Sequence, residues 1–145
     1  MNTKITVIGL GLLFYSALFS PPCARADGLQ PTQTQVKFGP IRSVQIISQG
    51  LESATSTDEP KGCAEFTLSK LEVLSYLKNS GSITKQDYLQ LIDWSVCTST
   101  GKVVFSNGLT GEWMIQKYRG GSLNLSNGKT FYLYCGKCKG VNFRR

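Results

Sequence analysis

The five cysteines are the side chains with the most distinctive chemistry in this 145-residue chain. Histidine is absent, which excludes a Ser-His-Asp or Cys-His nucleophile, an imidazole acid or base, and a zinc site with a histidine ligand. No spacing pairs two carboxylates for glycoside hydrolysis, and no glycine-rich loop joins a strand to a helix as phosphate binding requires. The sequence therefore predicts a protein that is not an enzyme and that needs no cofactor.

Cys135 and Cys138 have the C-x-x-C spacing of redox enzymes. Such enzymes place the first cysteine at a helix N-terminus, where backbone amides lower the pKa of its thiol. Here the motif ends a strand pattern, and residues 139–142 do not favour a helix. A zinc site with four cysteine ligands would need Cys63 and Cys97 to converge on this pair, and an oxidising compartment disfavours such a site. We therefore expect structural disulfide bonds and no metal.

Residues 1–26 have the pattern of a secretory signal peptide. Lys4 supplies a positive charge, residues 5–19 are uncharged and mostly apolar, and Ala24-Arg25-Ala26 has the small-x-small pattern of a cleavage site. The apolar stretch would cover about 22 Å of a membrane core about 30 Å thick, so we expect cleavage after Ala26 rather than an anchor. Cys23 lacks the small residues that precede a lipidated cysteine.

The predicted mature chain, residues 27–145, has four cysteines, and an even count in a short exported protein indicates two disulfide bonds. We expect it in the periplasm of a Gram-negative cell, without a stable membrane anchor. Its charge is uneven: residues 27–96 carry six basic and eight acidic side chains, whereas residues 97–145 carry eight basic side chains and one acid, Glu112. Export makes nucleic acid a poor partner, and an acidic protein or a cell-wall polymer fits the compartment better.

The sequence predicts one mature domain in two parts. Residues 27–62 comprise a loose arm up to Lys37, a strand at residues 41–48 and a linker rich in turn formers and acids. Residues 63–145 form the predicted disulfide-stabilised core.

Two short helices are expected at the start of this core. Ser69 and Glu72 fit a capping box, Thr84 repeats the start signal, and the short connection between the helices predicts an antiparallel helical hairpin. Asp93-Trp94 after the second helix is interpreted as a structural pair with a buried indole. The expected buried positions are Leu68, Leu71, Leu74 and Leu77 in the first helix, and Tyr88, Leu91 and Ile92 in the second.

From Lys102 onward, apolar and polar residues alternate with a period of two. Strands are predicted at residues 102–106, 112–118, 122–125 and 129–135, and Asn-Gly pairs supply the positive φ angles of tight hairpin turns. The predicted fold class is α+β: a short helical hairpin packed on a four-stranded antiparallel meander, with one extra N-terminal strand allowed by residues 41–48.

Alternation divides the meander residues between two faces. The apolar set should form the core against the helices: Val103, Phe105, Trp113, Ile115, Leu123, Leu125, Phe131, Leu133 and Cys135. The opposite set is rich in tyrosine, methionine and amides, a composition favoured at protein interfaces. Its candidate partner-binding residues are Met114, Gln116, Tyr118, Tyr132 and Tyr134. Alternatively, the N-terminal arm covers this face, or the tyrosines are simply well suited to strands.

Four cysteines allow three disulfide pairings. A helical hairpin would return the chain to its starting end, which favours Cys63–Cys97 and leaves Cys135–Cys138 as a small ring. The two crossed pairings would tie the helices to the sheet through Cys135, and they stay open because sequence does not fix connectivity.

A family resemblance rests on three stretches: residues 93–97 (DWSVC), residues 105–115 and residues 132–135 (YLYC). They resemble small exported Gram-negative proteins that are often encoded beside peptidoglycan-targeting toxins of type VI secretion. The similarity covers roughly residues 63–138 and consists of turns, core aromatics and cysteines, so it transfers no functional residue. It implies a periplasmic immunity protein that binds and blocks a cell-wall-targeting toxin and so protects the producer. The alternative is a non-catalytic component of a secretion or conjugation apparatus.

Overall fold

The computed structural model describes residues 30–52, 62–139 and 142–143. The predicted signal peptide and most of the predicted linker lie outside these residues. The described chain forms one antiparallel sheet of seven strands, with two short α-helices and one 3-10 turn. None of its helices is long and apolar enough to cross a membrane. In chain order the elements are β1 (Thr34–Gln35), β2 (Ile41–Glu52), the 3-10 turn (Cys63–Glu65), α1 (Lys70–Asn79), β3 (Gly81–Ile83), α2 (Lys85–Gln90), β4 (Cys97–Phe105), β5 (Thr110–Gln116), β6 (Gly120–Leu125) and β7 (Thr130–Tyr134).

The strand order in the sheet is β1-β3-β7-β6-β5-β4-β2. Strands β4 to β7 are neighbours in space as they are in sequence, and Gly108 and Gly128 adopt the positive φ of 83° that their tight turns require. β2 pairs with β4 on one side of these four strands, and β3 and β1 extend the other side. The antiparallel sheet is therefore larger than the predicted meander.

The predicted fold class, a helical hairpin on a four-stranded meander, is wrong. β3 lies between α1 and α2 in the chain and pairs with β7, where Ser82 is opposite Leu133. The two helices pack on opposite faces of the sheet. Buried residues of α1 belong to the same core as Leu133 of β7, whereas Tyr88 of α2 belongs to the same core as Tyr134. Leu133 and Tyr134 are consecutive in a strand and therefore point to opposite faces. Three residues are too few to show a strand periodicity, and so the pattern in the sequence left β3 undetected.

We call the face covered by α1 the core face and the opposite one the α2 face. The apolar set expected from alternation lies on the core face, where it packs against Val73, Tyr76 and Leu77 of α1. The buried hydroxyl group of Tyr76 donates to the carbonyl oxygens of Arg119 (3.0 Å) and Leu133 (3.3 Å). Leu71, expected in the buried stripe, is instead 77% exposed, because α1 begins at Lys70 and turns positions 73, 76 and 77 toward the sheet.

The N-terminal arm is not loose in its described part. β1 pairs with β3 at the edge of the sheet, and the ring of Phe38 contacts Phe131 on the core face, with the ring centroids 5.0 Å apart. Residues 34–38 are therefore part of the fold, and this part of the arm lies against β3 and the core face.

The structure contains two disulfide bonds, Cys63–Cys97 and Cys135–Cys138. This is the pairing that the expected helical hairpin favoured. In the structure, however, β2 rather than a helical hairpin brings Cys63 and Cys97 together. Gly50 near the end of β2 has φ of 61° and packs so closely on the backbone of Cys63 that a Cβ atom there would lie 2.7 Å from its carbonyl oxygen. β2 in turn pairs with β4, where Glu52 is opposite Cys97.

Candidate functional site

α2 packs on the α2 face and closes part of it. The helix begins after Thr84, whose Oγ1 accepts a hydrogen bond from the amide of Asp87 at 3.0 Å. Tyr88 of the helix and Ile92 beyond it are buried against Ile83 and Tyr134. This part of the α2 face is therefore a second, small core rather than a free surface.

α2 determines which of the predicted partner-binding residues are exposed. Gln116 is fully buried and Tyr134 is 8% exposed, so neither is available to a partner in this structure. Met114 and Tyr132 are half-buried on the α2 face, and Tyr118 is half-buried in the turn between β5 and β6. The surface expected from alternation is thus divided, because α2 covers its end nearest the β5–β6 turn.

The covered part contains polar groups that are incompletely hydrogen-bonded. The Oε1 atom of Gln116 accepts the amide of Ser95 at 2.7 Å, while the Nε2 atom of Gln116 and the hydroxyl group of Tyr88 have no partner among the described residues. Burial is the main reason that the pKa of Tyr88 is raised to about 12, and Tyr132 adds to the increase. Tyr88 therefore stays neutral, and we assign it a structural role.

The uncovered part of the α2 face is a shallow trough lined by both polar and apolar side chains. Two adjoining clefts of about 500 Å³ and about 310 Å³ share Glu112 and Asn124 in their lining. Lys102 and Glu112 form an exposed ion pair at 3.8 Å between neighbouring strands. The remaining side chains that point into the trough from this face are Ser43, Gln45, Ile47, Thr100, Val104, Thr110, Met114 and Ser126.

Exposed apolar side chains are concentrated on the same side of the molecule. Among the described residues six large hydrophobic side chains are exposed, and five of them lie on the α2 side. Ile47 lines the trough. Leu51 lies opposite Thr98 of β4, and Thr98 lies opposite Gln116 of β5, which is a residue of the α2 face. Residues opposite one another in a sheet share a face, so Leu51 also lies on the α2 face. The other three, Leu89, Leu91 and Trp94, belong to α2 and to the segment that follows it. The exception is Leu71 of α1.

Trp94 is both exposed and rigidly held. Its indole Nε1–H donates to the carbonyl oxygen of Tyr88 at 3.0 Å, and the two rings make an edge-to-face contact with centroids 5.0 Å apart. The side chain nevertheless remains 46% exposed, so the expectation of a buried indole is wrong. A large aromatic side chain that is fixed before binding loses little conformational entropy when a partner covers it.

The apolar ridge formed by Leu89, Leu91 and Trp94 was not recognised in the sequence. The spacing of the apolar residues in this segment could have indicated the ridge. Tyr88 and Ile92 are four residues apart and lie on one side of a helix, so Leu89 and Leu91 cannot both face the sheet with them. The sequence interpretation placed Leu91 in the buried stripe, whereas the helix ends at Gln90 and Leu91 is exposed.

The four cysteines of the described residues are paired in two disulfide bonds. Cys135 and Cys138 are both buried, and their ring follows β7 without a helix in the described residues that continue it. In the described part of the chain, no group of three or more cysteine, aspartate or glutamate side chains is placed to hold a metal ion.

Comparisons with families of known proteins, with curated proteins and with solved structures found no match to this chain.

Proposed function

We propose that this protein is an immunity protein of the periplasm, which binds and blocks a toxin that acts on peptidoglycan. The binding surface is the α2 face, made of the trough and the ridge of Leu89, Leu91 and Trp94. The observation that carries the proposal is the one-sided distribution of exposed apolar side chains described above. Exposed apolar side chains bounded by polar residues mark protein–protein interaction sites when they form a patch.

The ridge has the character of a binding hot spot. Tryptophan is among the residues that contribute most at interfaces, particularly when polar neighbours exclude water around it. Trp94 is held by Tyr88, and the trough that contains the polar side chains of Lys102, Glu112 and Asn124 lies on the same face. A protruding loop of the partner can therefore occupy the trough while the ridge packs on the surface beside that loop.

Charge favours an acidic partner. Without Lys4 and Arg25 the formal charge of the chain falls from +7 to +5, and residues 97–145 hold eight basic side chains against Glu112 alone. An acidic toxin surface would be drawn to this protein and oriented by it before contact, because electrostatic complementarity raises association rates and selects among partners.

The assignment to the periplasm and to a toxin has separate support. Two disulfide bonds are compatible with an oxidising, exported location. The resemblance of residues 93–97, 105–115 and 132–135 to exported proteins encoded beside cell-wall toxins supports the immunity role. Blocking an enzyme requires a rigid, complementary surface and no catalytic group, which agrees with the chemistry of the α2 face.

Deletion of the gene tests the proposal in the producing strain. Deleted cells should lyse when they grow in contact with siblings whose secretion apparatus is intact, and a plasmid copy should restore survival. The Trp94→Ala variant should fail to protect, whereas the Leu71→Ala variant should protect fully, because Leu71 is also apolar and is more exposed than Trp94 but lies on the opposite side of the sheet. Periplasmic amounts of both variants are compared by immunoblot.

Survival of the deleted strain beside attacking siblings would contradict the immunity role. A strain that survives but no longer secretes or conjugates would instead identify the protein as a component of that apparatus.

A further inference from the structure

A shallow cleft lies on the core-face side of the molecule, between the N-terminal arm and α1. Its volume is about 290 Å³. Residues 36–40, which we call the strap, form one wall, and the end of α1 forms the other. The apolar and charged residues that line this strap cleft are Val36, Lys37, Phe38, Ile41, Leu77 and Lys78. None of them belongs to the α2 face, so the proposed function does not account for the cleft.

The strap crosses the core face because it connects the two edges of the described sheet. Gln35 ends β1 at one edge, and Ile41 begins β2 at the other. Six extended residues reach at most about 22 Å, whereas six strand spacings in a flat sheet amount to about 29 Å. The sheet therefore curves around the core face, and the strap runs over its concave side. The ring centroid of Phe38 accordingly lies 6.1 Å from that of Phe105 in β4 and 5.0 Å from that of Phe131 in β7.

The apolar part of the lining is held in place by the core. Leu77 is buried, and Phe38 and Ile41 pack against the same core cluster. Val36 and Phe38 nevertheless remain half-buried, so apolar surface is left for a ligand. At Gly39 an added Cβ atom would meet no other atom within 4 Å, and the strap therefore leaves the cleft open at this point.

Two lysines supply the charged part of the lining. Lys37 is on the strap and Lys78 is in the last turn of α1, so the strap cleft has a cation on each wall. Among the described residues no carboxylate oxygen lies within 4.0 Å of either ammonium group, and the ion pair that is present joins Lys102 to Glu112 on the opposite face. Both lysines belong to residues 27–96, where acidic side chains outnumber basic ones. They are therefore separate from the basic excess of residues 97–145.

We propose that the strap cleft binds a small amphiphilic anion, a molecule with an acidic head group and a short apolar chain. Binding sites for small molecules are concave and mostly apolar, with a few polar groups that fix the orientation of the ligand. The strap cleft has this composition: the apolar chain lies against Val36, Phe38 and Leu77, and the head group lies between Lys37 and Lys78. At the roughly 30 Å³ that a water molecule takes up in the liquid, the volume of about 290 Å³ holds about ten non-hydrogen atoms.

The strap cleft and the α2 face lie on opposite faces of the sheet, so the inference goes beyond the immunity role. A bound anion would connect the strap to α1, and a ligand that binds only the folded state raises the free energy of unfolding. The trough and the Trp94 ridge would stay available to a toxin while the cleft is occupied.

Titration of the purified ¹⁵N-labelled protein with octanoate, followed through the NMR signals of its backbone amides, tests the proposal. Octanoate fills the cleft with about ten non-hydrogen atoms. Octanamide has the same size without the charge, and acetate has the charge without the apolar chain. The Lys37→Ala, Lys78→Ala double variant removes both cations of the cleft. The Lys85→Ala, Lys129→Ala double variant is the control, because it removes the same charge from exposed positions outside the cleft.

We expect octanoate to shift the signals of the strap and of residues 77–78. An ion pair at an exposed position is worth up to about five-fold in affinity, so the double variant of the cleft should bind octanoate about ten-fold more weakly. The control variant should stay within about two-fold. Octanamide and acetate should each bind the unaltered protein at least about ten-fold more weakly than octanoate does.

Three results would overturn the proposal: no shift at these residues, equal affinity for octanoate and either analogue, or an equal loss in both double variants. The unshifted signals of the remaining residues check that both variants are folded. No toxin enters this experiment, so its outcome is independent of the immunity role.

Discussion

Tyr88 links the folding of the α2 face to the chemistry of a single hydroxyl group. The centroid of its ring lies 5.0 Å from the ring centroid of Trp94 and 5.0 Å from that of Tyr132. Its carbonyl oxygen accepts a hydrogen bond from the indole of Trp94. The hydroxyl group itself has no hydrogen-bond partner in the described part of the chain. The ring therefore stabilises the site, whereas the hydroxyl group adds a cost of burial.

This cost predicts a specific dependence of stability on pH. The pKa of Tyr88 is raised from 10.0 to about 12 in the folded protein, so the folded state holds the proton more tightly than the unfolded state does. The resulting stabilisation is fully present below pH 10 and is lost as the pH rises toward about 12. In the Tyr88→Phe variant, chemical denaturation across this range should show a smaller loss of unfolding free energy. Parallel curves for the variant and the unaltered protein would contradict the assignment.

Tyr134 is a second residue whose role the structure redefines. As an interface residue it could be removed without loss of stability, but it is buried against Ile83, Tyr88 and Ile92. Tyr134→Ala should therefore lower the free energy of unfolding by about 3–5 kcal/mol, as for other large aromatic side chains in a core. Tyr118→Ala, in the turn, is the control and should cost about 1 kcal/mol or less. Urea denaturation of both variants makes the comparison, and equal costs would place Tyr134 at the surface.

At the scale of elements, the sequence was informative wherever a local signal was strong. The capping box of α1 is present, with the amide of Ser69 bonded to Glu72 at 2.8 Å and the amide of Glu72 bonded to Ser69 at 3.2 Å. The Asn-Gly turns and the alternation of the core face were also predictable, because each depends on residues that are close in sequence. The local part of the fold can therefore be derived from the chain alone.

The topology could not be derived in the same way. Gly81–Ile83 becomes a strand because β7 offers it a pairing edge, and this pairing is a tertiary effect that outweighs local preference. With β3 paired in the sheet between them, α1 lies on one face of the sheet and α2 on the other. Burial of Gln116 and Tyr134 and exposure of Trp94 follow from this change of side, and so the candidate site was predicted only in part.

The two disulfide bonds should differ in their effect on the stability of these elements. Cys63–Cys97 spans 34 residues and ties the 3-10 turn to β4, whereas Cys135–Cys138 spans three residues. In the chain-entropy model the first contributes about 3–4 kcal/mol and the second about 2 kcal/mol or less. Replacing each pair with alanines and measuring reversible unfolding in urea checks this order. A greater loss from the short ring would show that chain entropy does not determine the difference.

At the scale of the whole molecule, the two faces of the sheet differ in burial. The core face is closed by α1 and by Phe38, and it accounts for most of the buried apolar side chains of the described residues. The α2 face is half open and carries the exposed apolar residues. The excess of basic side chains in residues 97–145 is visible in the sequence.

The central claim is that the α2 face binds and blocks a toxin, and calorimetry tests it most directly. The toxin that kills the deleted strain is purified and titrated with the unaltered protein, with Trp94→Ala and with Leu71→Ala. Loss of an aromatic anchor should cost about 2 kcal/mol, so Trp94→Ala should raise the Kd about 30-fold while Leu71→Ala leaves it within about two-fold. An unchanged Kd for Trp94→Ala, or an equal increase for both variants, would contradict the claim.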